Sequence, residues 1–363
     1  MTISWANARL RFCGEGKNVF LNREAEMADY WGIDFGGTKL RIGRIDPTTN
    51  RKVSIVLDKD ISDISNNEDL FELVDGKIPK NSKVGISAAG NVKEDDCIIA
   101  FSPNSKINGK ITFGSLLKEN RQCQVHMTND LKAAVQAEAR YGIGKKYDNV
   151  LVATYSSGFN CAVARKKKNV TTAELGHIRY KQDGDLFCGC GGIGHLESYV
   201  SGNGAASMAK QYFYSTKRDT NHPIISASLE DLKINMVGYD NKSNMNELYP
   251  VIVSKINSKH IYKAVKSNPD QEPQKQIFNT QIEAIATSFG IMNSAYNPLD
   301  IMILMGSQTK DSFIFDEAIE RYKKEILQLP SLRHPPIKIT KLGDKIGVLG
   351  AIAYFQSQEE TAG

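Results

Sequence analysis

Alternating apolar and polar positions predict two β-hairpins, each closed around glycine. In the first, over residues 30–46, a strand runs into a Gly-Gly turn, and a second strand alternates Leu40 and Ile42 with charged residues. Residues 149–165 repeat this pattern as N-V-L-V-A-T-Y, S-S-G and F-N-C-A-V-A-R. A Rossmann fingerprint or a P-loop requires a helix after its glycines, so neither motif is present. The two similar hairpins suggest an internal duplication.

The rest of the chain predicts alternating helices and buried strands, which indicates the α/β class. Short apolar runs predict strands, and longer runs with helical spacing predict helices. The strands are expected at 53–57, 83–88, 125–128 and 300–305, and the helices at 67–74, 131–140, 202–214, 229–235, 271–297, 311–328 and 345–355. Residues 221–246 are otherwise polar and irregular, and we expect a surface excursion there.

Composition narrows the class of protein. The 363 residues are enough for two domains or one large two-lobed unit. Hydrophobic residues make up 41% of the chain and charged residues 24%, as in an ordinary soluble globular protein. The net charge of +5 is modest and its cations are interspersed with anions, so we expect no nucleic acid partner. The lysine run at 166–168 is interpreted as a solvated hairpin turn.

The N-terminal residues and the lengths of the apolar runs are used to predict the cellular location. Residues 1–13 lack the pattern of a signal peptide, and no apolar run approaches the length of a membrane span. We therefore expect a cytoplasmic protein with no membrane partner, whose cysteines bind metal or pack rather than cross-link. Residues 1–28 differ in pattern from the rest. They are interpreted either as a disordered N-terminal extension or as an upstream segment ahead of a true start at Met27.

The segment from Glu174 to Glu197 carries the most specific motif, E-L-G-H followed by C-G-C-G-G-I-G-H-L-E. It supplies four nitrogen or sulfur donors, His177, Cys188, Cys190 and His195. Zinc favours four such donors in a tetrahedron, and a closed set of protein ligands is typical of a structural site. The expected role is to hold a loop so that Glu174, His177 and Glu197 face one pocket. For His195, a solvent-facing imidazole is the alternative.

Two further positions are candidates for phosphoryl chemistry. In D-F-G-G-T-K at 34–39, the glycines expose backbone N–H groups, Thr38 adds a hydroxyl, and Asp34 can hold Mg²⁺ through water. A plain hairpin turn is the alternative. Asp130, at a predicted strand-to-helix junction, is interpreted as a helix N-cap, as a general base for a sugar hydroxyl, or as both. Weaker candidates for nucleotide contact are Ser156-Ser157-Gly158 and Gly306-Ser307.

Together these motifs resemble the ROK family of sugar kinases and related repressors. The matching motifs are D-F-G-G-T-K, A-A-G-N, S-P-N, N-D, E-L-G-H, C-x-C-G-x-x-G-H-x-E and M-G-S, and they span nearly all of the chain after residue 28. The resemblance implies the actin-like ATPase (ribonuclease H-like) fold. In that fold, two lobes, each a mixed sheet flanked by helices, enclose a cleft for sugar and nucleotide. The lobes are expected at 29–130, completed by a C-terminal helix at 345–358, and at 131–344.

The resemblance also implies roles for individual residues, with Asp130 as the catalytic base. The sugar is expected to contact Gly90, Asn104, Asn129, Asp130, Glu174, His177 and Glu197. ATP and Mg²⁺ are expected to contact Asp34, Gly36, Gly37, Thr38, Lys39, Ser156, Ser157, Gly158, Gly306 and Ser307. Structural zinc is expected on His177, Cys188 and Cys190, with His195 standing where relatives usually have a third cysteine.

The activity implied is ATP-dependent phosphorylation of the 6-hydroxyl of a hexose or an N-acetylhexosamine, with glucose or N-acetylmannosamine favoured. The second phosphate loop is usually G-T-G-x-G in the family and is S-S-G-F-N here, which lowers the expected affinity for ATP. The alternative function is a sugar-sensing regulator or binding protein, although no helix-turn-helix pattern is visible. Because relatives are commonly dimers, a homodimer is also implied.

Overall fold

Two five-stranded sheets with the same strand order organise the chain. The structure is a computed structural model, which describes residues 30–45, 53–166, 169–216, 218–232, 242–326, 329 and 331–362. The expected extension at 1–28 and the end of the lysine run at 167–168 lie outside these residues. Lys166, which is described, follows the strand that ends at Arg165, as expected for a hairpin turn.

The first sheet has the order β3-β2-β1-β4-β7 and the second β10-β9-β8-β11-β12. The strands of the N-terminal half are β1 (Tyr30–Phe35), β2 (Lys39–Ile45), β3 (Val53–Asp60), β4 (Lys83–Ala88), β5 (Asn91–Lys93), β6 (Ile98–Phe101) and β7 (Gln124–Asn129). Those of the C-terminal half are β8 (Asn149–Tyr155), β9 (Phe159–Arg165), β10 (Asn169–Ala173), β11 (Ile301–Met305) and β12 (Ile337–Ile339). Strands β5 and β6 form a separate two-stranded hairpin.

In each five-stranded sheet, three neighbouring strands each run antiparallel to the next, and two further strands run parallel to the central strand of the sheet. Both predicted hairpins are present, as the antiparallel pairs β1–β2 and β8–β9. Strands β1, β4 and β7 run parallel to one another, as do β8, β11 and β12. Since the carboxyl ends of parallel strands meet at one edge, the residues that follow these strands collect there, which is the usual place for ligand contacts in α/β proteins.

Helices flank both sheets. They are α1 (Asn67–Asp75), α2 (Phe113–Arg121), α3 (Asp130–Arg140), α4 (Glu197–Val200), α5 (Gly202–Ser215), α6 (Pro223–Asp231), α7 (Lys242–Ser254), α8 (Ser258–Ser267), α9 (Gln274–Ala295), α10 (Phe313–Arg321) and α11 (Ile346–Ala362). Single 3-10 turns cover Ile143–Lys146, Leu175–His177, Ser307–Lys310 and Gly343–Lys345, and a π turn covers Tyr322–Ile326. Within the described ranges, every helix falls short of the length or the apolar character that crossing a bilayer requires.

Helices α3 and α11 connect the two halves of the molecule. The C-terminal helix α11 packs against β1 and β4 of the first sheet and against α3. Helix α3 in turn packs against β8 and β9 of the second sheet. The lobe boundaries at residues 130 and 344, and the assignment of the C-terminal helix to the N-terminal lobe, remain predictions.

The expectation of an irregular surface excursion at 221–246 is wrong at both ends, since α6 begins at Pro223 and α7 at Lys242. The helix expected at 229–235 begins earlier. Helix α6 starts at Pro223, whose fixed φ suits the first helical position, and His222 caps it by accepting from the Ile224 N–H. Ile224 and Ile225 are fully buried in the larger core. The polar residues around this helix hid its short apolar face, and residues 233–241 lie outside the described part of the chain.

Candidate active site

A cavity of about 950 Å³ opens at the carboxyl edges of both sheets. Ten of the predicted site residues line it: Gly90, Asn104, Asn129, Asp130, Ser156, Ser157, Gly158, Glu174, His177 and Glu197. In one half they lie after β4 and β6 and at the end of β7, and in the other half they lie after β8 and β10. The cavity therefore joins the predicted sugar contacts to the second candidate phosphate loop.

Asp130 lies at the start of α3, directly after β7. The N-cap is Asn129, whose side chain accepts from the Leu131 N–H at 2.9 Å, so interpreting Asp130 as the N-cap is wrong by one residue. Asp130 Oδ1 also accepts from the Leu131 N–H, at 2.8 Å. Burial raises the pKa of Asp130, although hydrogen bonds to its charged form oppose the shift. A raised pKa makes the carboxylate a better proton acceptor, and the helix N-terminus favours its charge.

The first glycine loop lies beside the cavity rather than in its lining. It forms the turn between β1 and β2, where Gly37 has φ of 85° and packs so closely that a Cβ there would lie 2.9 Å from Asn104 Cβ. Gly36 donates its N–H to the Lys39 carbonyl at 2.8 Å. The loop therefore adjoins the cavity wall through Asn104, and Thr38 lies in the same turn.

Asp34 adjoins this loop and is largely enclosed. Burial raises the pKa of Asp34 to about 6, while the Arg41 guanidinium, 3.6 Å away, opposes the shift. Repulsion from the Asp130 carboxylate raises the pKa of Asp34 further. Lys39 lies outside this pair, because its Nζ is 2.9 Å from an Asp58 carboxylate oxygen.

The second loop, Ser156-Ser157-Gly158, separates the main cavity from a neighbouring one of about 640 Å³. The second cavity is also lined by Ser307, which follows Gly306 at the end of β11. The sequence analysis missed Lys210 on α5 and Asn257 before α8, which line the same space. Neither carries a sequence signal, because lysine and asparagine are ordinary on helix surfaces and at caps. Burial lowers the pKa of Lys210.

The four predicted metal ligands converge. One donor atom from each of His177, Cys188, Cys190 and His195 lies within 4.8 Å of all the others. Cys188 Sγ is 3.4 Å from His177 Nδ1, and Cys190 Sγ is 3.2 Å from His195 Nδ1. With bonds of about 2.0–2.3 Å, a tetrahedral zinc site separates its ligand atoms by roughly 3.3–3.8 Å. The donor set fits zinc, and the two cysteine–histidine pairs are spaced close to that range.

Glu197 connects this cluster to the cavity. Its Oε1 accepts from Cys188 Sγ at 3.5 Å, and its Oε2 accepts from the Phe159 N–H at 2.9 Å. Both oxygens are thus tied to protein groups, one in the metal motif and one in the second glycine loop. Burial, the neighbouring Cys190 and the Glu197 carboxylate raise the pKa of Cys188 to about 11. A cation at the cluster would favour the thiolate.

The comparisons with known proteins agree with this architecture. The sequence model of the ROK family matches residues 30–358. The chain belongs to the ROK family. The resemblance found from the motifs is therefore confirmed.

Two curated relatives show the range of similarity. A glucokinase from Streptomyces coelicolor is 32% identical over 200 residues, which cover 50% of this chain and 58% of the relative. The chain thus spans a little over half of that relative. An N-acetyl-D-glucosamine kinase from Vibrio vulnificus is 23% identical over 348 residues, covering 89% of this chain and 97% of the relative.

Solved structures share the fold. A ROK hexokinase from Thermus thermophilus superposes with a TM-score of 0.68 at 19% identity, covering 92% of this chain and 100% of that one. A ROK glucokinase from Streptomyces griseus, solved with glucose and AMPPNP, gives a TM-score of 0.63 at 23% identity, covering 90% and 98%. The expected two-lobed actin-like ATPase fold, with mixed sheets flanked by helices, is confirmed.

Proposed function

We propose that this protein is a sugar kinase that transfers the terminal phosphoryl group of ATP to the 6-hydroxyl of a hexose or an N-acetylhexosamine. The observation that carries the proposal is the Asp130 carboxylate at a helix N-terminus, in a cavity lined with amides, carboxylates and an imidazole. Such a lining suits a polyol, because each hydroxyl both donates and accepts a hydrogen bond. The names of the relatives, glucokinase and N-acetyl-D-glucosamine kinase, point to the same substrate class.

In the proposed reaction, Asp130 accepts the proton of the hydroxyl as its oxygen attacks the phosphoryl group. Asn104 and Asn129 orient the sugar from the N-terminal side, and Glu174, His177 and Glu197 bind its remaining hydroxyls from the other side. Gly90 allows the sugar to approach the backbone closely. Phosphoryl transfer needs mainly positioning and neutralisation of charge, so the alignment of the attacking hydroxyl is the main contribution of these residues.

The residues around the cavity also fit a nucleotide with its metal ion. In the turn that begins at Gly36, Gly37 and Thr38 would supply backbone and hydroxyl donors to phosphate, and Lys39 adds charge nearby. The second loop, Ser156-Ser157-Gly158, lies at the boundary of the two cavities, and Gly306-Ser307 borders the space for the nucleoside. Mg²⁺, when bound with ATP, neutralises phosphate charge, and Asp34 would hold it through water.

The metal cluster has a structural role in this proposal. His177, Cys188, Cys190 and His195 would hold Zn²⁺ and thereby fix the position of Glu197 and of the E-L-G-H turn. Histidine here replaces the cysteine that relatives usually have, and imidazole nitrogen is an ordinary zinc ligand. We further propose a homodimer, with sugar and ATP as the small-molecule partners and glucose or N-acetylmannosamine as the favoured sugars.

A second candidate function is a sugar-sensing regulator or binding protein without catalysis. The observation that favours it is the second loop, where Ser156 and Asn160 replace two family glycines and Ser157 replaces the threonine. A side chain at position 156 would reduce the space for phosphate. Retention of Asp130 and of the first glycine loop favours the kinase.

The test is release of ADP from ATP and Mg²⁺ over a panel of hexoses and N-acetylhexosamines, with sugar binding measured in parallel by calorimetry. We expect turnover with at least one sugar and a loss of about a thousandfold in Asp130→Asn, with sugar affinity nearly unchanged. Sugar binding without turnover in the unaltered protein would support the regulator. Turnover in Asp130→Asn near the unaltered rate would exclude Asp130 as the base.

A further inference from the structure

The side chain of Asn160 lies in the proposed sugar site. Asn160 is the second residue of β9 and lines the main cavity. Its Nδ2 donates to Glu174 Oε2 at 3.0 Å, and its Oδ1 accepts from the N–H of Cys161 at 2.8 Å. A carboxylate only accepts and a backbone N–H only donates, so both contacts require the same orientation of the amide. Asn160 is therefore held with its nitrogen toward Glu174.

Glu174 needs such a partner. Its side chain is 73% exposed, and its other close neighbour is His177 Nε2, at 3.9 Å. An exposed glutamate samples several rotamers, and restricting them costs free energy when a ligand binds. The amide of Asn160 limits this freedom before the sugar arrives. It also places a donor beside an acceptor, the combination that a single hydroxyl satisfies from both sides.

The Asn160 carboxamide also occupies volume in the cavity. Beyond Cβ, the carboxamide of asparagine has the same number of heavy atoms as an acetyl group, with NH₂ in place of CH₃. An acyl substituent on the part of the sugar facing Glu174 would compete for this volume. Replacement of Asn160 by alanine removes the carboxamide alone and leaves a space of about that size.

We propose that Asn160 is a specificity-determining residue, which makes the site select a hexose with a free hydroxyl opposite Glu174 over the corresponding N-acetylhexosamine. This inference rests on the proposed function and narrows its substrate class. Asn160 acts in two ways: it orients Glu174 toward the hydroxyl, and it fills the space that an acetyl group requires.

The experiment measures kcat/KM, and separately the Kd for sugar without nucleotide, for two matched pairs: glucose with N-acetylglucosamine, and mannose with N-acetylmannosamine. Asn160→Ala should weaken hexose use by about 5- to 10-fold through the lost hydrogen bond, while N-acetylhexosamine use rises. The ratio of the two should shift by about tenfold or more, as expected when a pocket gains room for a small group. Asn160→Asp keeps the size but places a second carboxylate beside Glu174, so it should weaken the hexose without admitting the acetyl group.

Thr171→Ala is the matched control, because Thr171 is an exposed residue on the neighbouring strand β10 and lies outside the cavity lining. Thermal unfolding of all three variants separates a folding defect from a change in selectivity. A hexose to N-acetylhexosamine ratio that stays within twofold in Asn160→Ala, or a larger loss for the N-acetylhexosamine, would overturn the inference. The binding ratio tests Asn160 even if no sugar is phosphorylated, so failure of the kinase proposal is recognised separately. If no sugar binds at all, the inference is also overturned.

Discussion

Gly192→Ala should dismantle the metal cluster through a single methyl group. A Cβ at position 192 would lie 2.2 Å from His195 Cε1 and 2.5 Å from its Nε2. Ordinary van der Waals contact begins near 3.4 Å, so the imidazole ring must move by about 1.2 Å. A zinc–nitrogen bond is only about 2.0–2.1 Å long, and a shift of this size removes the ligand.

The expected loss of zinc affinity is about 100-fold or more. Changes to residues that merely support a ligand already weaken metal binding by about 10–100-fold, and the loss of a ligand should reach the upper end of that range. A factor of 100 corresponds to about 2.7 kcal/mol. Since His195 lies two residues before Glu197, movement of its ring should also displace Glu197, and the variant should bind sugar more weakly.

The assay is competition for zinc against a chromophoric chelator, followed by metal analysis of the dialysed protein. Gly189→Ala is the matched control, because among the described residues no heavy atom lies within 4 Å of a Cβ built at Gly189 in the same loop. We expect the control to retain zinc. Equal zinc affinity in the two variants would refute the assignment of His195 as a ligand, and the absence of zinc from the unaltered protein would refute the site.

The remaining predictions concern the carboxylates of the first half. The kcat/KM for sugar should fall as the pH is lowered, because Asp34 and Asp130 must both be ionised to act. Burial raises the pKa of Asp130 and raises the pKa of Asp34 to about 6. A pH profile that is flat down to pH 5 would contradict this. Arg41→Met removes the cation 3.6 Å from Asp34, so the pKa of Asp34 should rise and the loss of activity at low pH should begin at a higher pH. If the pH profile does not shift, Asp34 is not the group that causes this loss. Glu94→Ala should destabilise the fold by about 2–3 kcal/mol in urea titrations, because it removes the partner of Lys132 at 2.9 Å and of the Thr128 hydroxyl at 2.7 Å. A loss below 0.5 kcal/mol would show that solvent replaces these bonds.

Local sequence patterns determined several elements of the fold and the residues of the metal cluster. The strand alternation with intervening glycines predicted both hairpins, and the helical run at 131–140 predicted α3 to within one residue. The interleaved cysteines, histidines and glycines predicted a metal cluster, whose donor atoms are close together in the structure. These features depend on residues near one another in sequence. The two-residue period of a strand, the conformational freedom of glycine and the spacing of metal ligands can all be recognised in such short segments.

Only the tertiary structure decided which distant groups meet. Helix α6 was missed because its stability comes from burial of Ile224 and Ile225 in a core built by remote elements, and its own apolar stripe is short. The contact of Asn160 with Glu174 depends on how the β9 and β10 strands pair, which a pattern along one strand does not encode. The electrostatic coupling of Asp34 to Asp130 likewise arises because β1, β4 and β7 end at one edge of the sheet. Periodicity and residue type determine whether a segment forms a helix or a strand. The free energy that determines which other segments it packs against comes from contacts across the whole chain.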